Sequence, residues 1–87
     1  LVIAPPPIGK EYKTTNVGKA MGADCDLKSE QLGMHLAELL QSPGIAFLDT
    51  KGKIQMNRID FMHLDEEGHK LLAKLVFDKV QDILINE

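Results

Sequence analysis

Two short apolar runs, Leu1-Val2-Ile3-Ala4 and Ile45-Ala46-Phe47-Leu48, constrain this chain more than any other feature. Neither alternates apolar with polar residues, so neither reads as a strand with one wet face. Continuous runs of this length are the pattern of parallel strands covered on both sides. Parallel strands cannot be joined by a tight hairpin and need a crossover, usually helical. Between the two runs, Leu32, Leu36, Leu39 and Leu40 recur at i, i+4, i+7 and i+8, which is one face of a helix. Ser29 or Asp26 is the expected cap at its start, and Ser42-Pro43-Gly44 stops it. From Asp65 the periodicity returns with Leu72, Leu75, Val76, Val80, Ile83 and Leu84. Asp65 is a good N-cap, and Glu66 and Glu67 fall where the positive end of the helix dipole favours them. The order strand, loop, helix, strand, loop, helix predicts an α/β unit with a right-handed crossover and a parallel sheet.

The size of the chain sets a limit on that unit. Its 87 residues make one domain and not two, and a domain this small buries only about 60–65% of its unfolded surface. Two strands and two helices do not close a doubly wound core, so the chain alone is expected not to fold well. It opens on Leu1, inside what reads as a buried strand, and the expectation is an N-terminus cut from a longer protein. Pro5-Pro6-Pro7 ends the first strand because proline cannot donate to a sheet ladder. Residues Ile8 to Asp26 show no clear period, and a loop this long is usually functional or mobile.

Composition excludes several partners. The net charge is −3 with ten dispersed Lys and Arg, whereas a nucleic-acid surface needs a basic stripe. No apolar stretch approaches the ~18–20 residues that span a bilayer. The single cysteine, Cys25, cannot form an internal disulfide and nothing requires an oxidising compartment, so a cytoplasmic location is favoured.

The chemistry concentrates at Asp60-Phe61-Met62-His63, on the loop leading into the last helix. A carboxylate three residues before a histidine can hold one imidazole nitrogen while the other faces outward as a general base. Imidazole titrates near pH ~6.5, so it accepts and returns a proton at neutral pH. Ligands of open α/β sheets bind beyond the carboxyl ends of the strands, and both the Pro-rich loop and the Asp60–His63 loop emerge there. The other candidates are weaker. His63, Asp65, Glu66 and His69 lack the H-E-x-x-H spacing of a zinc helix, and His69 reads as a packing or surface residue on the first helical turn. Cys25 lies between Asp24 and Asp26, two carboxylates that disfavour the thiolate. Ser29 reads as a cap and Ser42 as a turn residue, neither on the Gly-rich elbow that exposes a nucleophilic serine. Leu32, Leu36, Leu72 and Leu75 read as core.

The stretch Asp60-Phe61-Met62-His63-Leu64-Asp65-Glu66-Glu67-Gly68-His69-Lys70-Leu71-Leu72-Ala73 resembles the last block of the SGNH hydrolases, the GDSL-type esterases and lipases. In that family an Asp-x-x-His motif near the C-terminus precedes a helix with a Gly-His pair on its first turn. Val2-Ile3-Ala4-Pro5-Pro6-Pro7 is similar to a strand that arylesterase-like members carry ahead of a variable loop, and Ile45–Thr50 to the strand after it. The resemblance implies a three-layer α/β/α, flavodoxin-like fold, with residues 1–87 the C-terminal portion of one hydrolase domain. It implies that Asp60 and His63 are the acid and base of a Ser-His-Asp arrangement that needs neither cofactor nor metal. The Gly-Asp-Ser nucleophile segment, the oxyanion glycine and the Gly-x-Asn-Asp segment have no counterpart here. The implied partners are therefore a small ester substrate and a complementary N-terminal segment carrying the serine. Two other readings stay open on the residues. One is a non-catalytic α/β interaction or regulatory module in which Asp60–His63 only pins its loop; the other is a metal-assisted hydrolase using His63, Asp60 and His69.

Overall fold

The computed structural model describes residues 1–16 and 18–86, residue 19 by its main chain. It contains strand β1 (Val2–Ala4), a 3-10 turn (Lys10–Thr14), helix α1 (Gly18–Met21), helix α2 (Cys25–Leu39), strand β2 (Phe47–Asp49) and helix α3 (Glu66–Ile85). The two strands pair in parallel, with Val2 opposite Phe47, Ile3 opposite Leu48 and Ala4 opposite Asp49. Main-chain bonds extend the ladder at both ends, from Val2 N to Ala46 O (2.8 Å) and from Thr50 N to Ala4 O (3.3 Å). The buried Thr50 hydroxyl donates to the same Ala4 carbonyl at 2.7 Å. This is the helix-linked parallel sheet that the two apolar runs imply, as a mixed α/β architecture.

Helix α2 starts earlier than either expected cap. Asp24 stands at the N-cap position without a side-chain capping bond, which places Asp26 and Ser29 inside the helix. Ser29 is not a cap: its hydroxyl donates to Asp26 O and accepts from Ile8 N, both at 2.9 Å. A helical serine can return its hydroxyl proton to the preceding turn and keep a lone pair for a neighbour. Here that lone pair fastens the loop after β1 onto α2. Gly33 brings α2 onto β2, since a Cβ there would meet the Asp49 carboxylate at 2.7 Å.

The segment read as featureless from Ile8 to Asp26 holds the 3-10 turn, α1 and the largest fully buried side chain, Tyr12. Its hydroxyl donates to Gly22 O at 2.6 Å. Burial, together with the neighbouring Cys25 thiol, pushes the phenol up to about 12, so it stays a proton donor. Single 3-10 turns are too short to establish a period, which is why the pattern hid them.

The core is Ala4, Tyr12, Leu48 and Ile54. It is not the leucine set expected: Leu32 is 39% exposed, and Leu36, Leu72 and Leu75 are half-buried. Two strands ~5 Å apart offer each helix a strip narrower than its own apolar face. For the same reason Leu1, Ile3 and Ile45 are exposed rather than covered on both sides. Helix α3 begins as expected, with Asp65 accepting from Gly68 N at 2.7 Å, a cap worth about 1 kcal/mol. Its 20 residues run ~30 Å at 1.5 Å each, and Phe77, Leu84 and Ile85 stand exposed along it. Among the described residues no helix is long and apolar enough to cross a membrane.

Candidate functional site

Beyond β2 the chain turns at Thr50, whose carbonyl accepts from both Lys53 N and Ile54 N. It then runs into a loop organised by Asn57. The Asn57 Oδ1 accepts from Ile59 N at 2.8 Å, Asp60 N at 2.9 Å and Phe61 N at 3.4 Å. The Asn57 main-chain N–H donates to His63 O at 2.7 Å, closing the loop from the other side. The asparagine side chain thus satisfies three successive donors, as Asx side chains do when they mimic a backbone turn, while its main chain joins the two ends of the loop.

At the top of this loop Phe61 has φ of 60°. The left-handed region is costly for a bulky side chain, and such strain persists only where surrounding bonds over-determine it. Those bonds are present on both sides. The Phe61 amide is held by Asn57, and its carbonyl accepts from Gly9 N at 2.9 Å. A Cβ on Gly9 would lie 3.0 Å from Phe61 Cβ, so glycine permits the approach. The loops that follow β1 and β2 therefore meet at the carboxyl edge of the sheet, the ligand edge of α/β folds.

The reversal at Phe61 folds the chain back over Asp60. Asp60 Oδ1 accepts from Met62 N at 2.9 Å and His63 N at 3.2 Å, while Oδ2 lies 2.6 Å from His63 Nδ1. The Met62 amide first, and then the His63 ring, hold the carboxyl down at about 2. Asp60 is therefore ionised throughout the neutral range and can only accept, so His63 Nδ1 carries the proton and donates. That fixes the tautomer and leaves Nε2 with a lone pair. The His63 side chain is 77% exposed, whereas that of Asp60 is 29% exposed. An oriented imidazole backed by a carboxylate is suited to take a proton from a nucleophile and return it to a leaving group.

Beside His63 lies an apolar cavity of about 280 Å³, walled by Ile3, Pro5, Pro6, Met62, Leu64 and Leu72. Thr50 also borders it, but the Thr50 hydroxyl is committed to Ala4 O. Ser29 is engaged with Ile8 and Asp26, and Ser42 belongs to the turn after α2, where its carbonyl accepts from Ile45 N. Neither serine borders the cavity. His69 sits exposed on the first turn of α3, its amide bonded to Asp65 O. Among the described residues no group of three or more His, Cys, Asp or Glu side chains is placed to hold a metal ion.

Sequence spacing brought Asp60 and His63 forward but passed over Asn57, Phe61 and Gly9. Asn57 had a usable signal, an Asn-x-x-Asp spacing ahead of the motif that fits an Asx turn. Phe61 had none, because its φ is imposed by partners on both sides. Comparisons with family models, curated proteins and solved structures find no match to this chain.

Proposed function

We propose that this chain is the acid–base portion of a serine ester hydrolase of the SGNH type, with Asp60 the orienting carboxylate and His63 the general base and acid. The observation that carries the reading is the 2.6 Å contact between Asp60 Oδ2 and His63 Nδ1 at the ligand edge of a parallel sheet. The ionised Asp60 stabilises the imidazolium formed when His63 takes the serine proton, and His63 then passes that proton to the departing alcohol. The serine and the oxyanion donors belong to a complementary segment N-terminal to this one. Parallel strands of that segment would continue the sheet beyond β1, which among the described residues is paired on its β2 side alone, giving the three-layer flavodoxin-like fold. No cofactor or metal enters the reaction, and the substrate is a small ester.

The decisive experiment measures hydrolysis of short-chain p-nitrophenyl esters by the intact protein and its His63→Ala variant, with and without a chelator. Turnover that survives chelation and collapses in the variant supports the reading. Turnover unaffected by His63→Ala removes it. A non-catalytic interaction module is the second reading, favoured by the lack of a free hydroxyl or thiol beside the cavity among the described residues. Absence of hydrolysis by the intact, folded protein selects it.

A further inference from the structure

We propose that Asn57 is the positioning residue of the Asp60–His63 pair, setting the tautomer and direction of the imidazole without touching substrate. The inference rests on the acid–base reading of that pair and names the residue that builds it.

The geometry leads there in steps. Asp60 reaches His63 Nδ1 only because its other oxygen is occupied by the amides of Met62 and His63. Those amides point at the carboxylate only because the chain reverses at Phe61, where φ is 60°. A reversal with a bulky side chain in the left-handed region does not hold itself. Three amides in sequence, from Ile59, Asp60 and Phe61, converge on the side-chain Asn57 Oδ1, and the Asn57 main-chain N–H, which any substitution tested here keeps, donates to His63 O at 2.7 Å. Asn57 thereby bonds to both flanks of the reversal and to the residue that carries the imidazole. Gly9 adds one bond, to Phe61 O, from the loop after β1. Among the described residues the other side chain bonded to the 59–63 backbone is that of Asp60, and it reaches Met62 and His63 alone.

Removing the Asn57 amide strips the acceptor from three donors at once. The reversal then relaxes toward ordinary φ values, the Met62 and His63 amides swing from Asp60, and the carboxylate loses the bonds that aim it. Without an aimed carboxylate the imidazole is free to carry its proton on Nε2, the nitrogen that must be bare for it to act as a base. A role confined to loop stability would not change which nitrogen is protonated. An oxygen at the same place is all the device requires, so aspartate should replace asparagine and alanine should not.

The test uses the intact protein labelled with ¹⁵N at histidine, comparing wild type, Asn57→Ala and Asn57→Asp. The ¹⁵N shifts of Nδ1 and Nε2 report the tautomer at neutral pH, the His63 signals being assigned by their loss in His63→Ala. In wild type the Nδ1–H form dominates. In Asn57→Ala the ratio of Nδ1–H to Nε2–H falls about tenfold, the equivalent of losing one hydrogen bond to a charged group, and Asn57→Asp restores it. Ester turnover follows the same order, with kcat falling about tenfold in Asn57→Ala and KM unchanged. The tautomer is read without hydrolysis, so a protein that cleaves no ester still tests the positioning role, and only the turnover arm is lost with the enzymatic reading. A folded Asn57→Ala protein with the wild-type tautomer overturns the proposal, as does failure of Asn57→Asp to restore it. Should Asn57→Ala not fold, hydrogen exchange on wild type decides. Amides of Ile59, Asp60 and Phe61 protected relative to Arg58 sustain the proposal, and equal exchange overturns it.

Discussion

The loop from Asn57 to His63 and the framework beneath it are held by opposite means. In the loop nearly every donor near the site has a partner within a few residues, and those partners are fixed by hydrogen bonds of 2.6–3.4 Å. The framework relies on apolar contact, yet among the described residues it buries only four hydrophobic side chains and leaves Leu39, Phe77, Leu84 and Ile85 more than half exposed. Hydrogen-bonded turns close over short sequence separations and need little from distant parts of the chain. Apolar burial needs area, and a pair of three-residue strands does not supply it. The site geometry is thus locally encoded, while the framework that carries it leaves much of its apolar surface uncovered.

The largest expected effect tests the framework side of that contrast. The 87-residue chain purified alone should not behave as a cooperatively folded monomer, and calorimetry with light scattering should find either no transition or an associated species. A sharp, reversible thermal transition from a monomer would show that the exposed apolar faces are tolerated and would weaken the case for a complementary segment.

The next effect tests the loop. On the proposed acid–base reading, His63→Ala in the intact protein should lower kcat by about 10³-fold or more, because the nucleophile would lose its base and the leaving group its acid. Asp60→Asn comes second, with a loss of about 10²-fold or more. Its amide oxygen can keep the Met62 and His63 donors, but its NH₂ then faces Nδ1 and forces the ring proton onto Nε2. Steady-state kinetics on the two variants, checked for folding by circular dichroism, give the order. An Asp60→Asn enzyme within tenfold of wild type would reduce the carboxylate to a loop fastener.

Acid separates the two regions further. Asp60 is held at about 2, below its ordinary value of 3.8. Its bonds therefore stabilise the folded protein fully above pH ~4, and that contribution is lost as pH falls from there toward 2. Below pH ~4 the difference in thermal midpoint between wild type and Asp60→Asn should shrink steadily, and it should disappear only below pH ~2. A difference that grows over that acid interval has the wrong sign for a carboxylate whose charged form is the bonded one.

Legibility in the sequence follows the same division. The apolar runs at Leu1–Ala4 and Ile45–Leu48 announced the parallel strands because unbroken hydrophobicity has one economical use in a sheet. Asp65 announced α3 because capping is a local matter. The start of α2 was misread, since Asp26 and Ser29 have the right chemistry for caps and only the path of the Ile8 loop puts Ser29 to another use. Tyr12 was passed over because it sits in a single 3-10 turn that leaves no periodic trace. At the site, the spacing of Asp60 and His63 was visible. The left-handed Phe61 was not, because it also depends on Gly9, whose place beside the loop no local pattern gives.

The smallest expected effect falls on His69, which the spacing places close to the site and the structure places on the first turn of α3, exposed to solvent. Its backbone amide bonds to Asp65 O, a contact that survives any substitution able to remain helical. The imidazole itself has no side-chain partner among the described bonds, and no ligand cluster includes it. A cation there would also be misplaced, since the positive end of the helix dipole favours anions. His69→Ala should therefore change stability by about 1 kcal/mol or less and leave ester turnover within about twofold. Alanine's helix propensity offsets part of whatever packing is lost. A His69→Ala protein that stays folded yet loses turnover as completely as His63→Ala would move the base from the hydrogen-bonded loop to the helix. That outcome would break the comparison on the side where the geometry is densest.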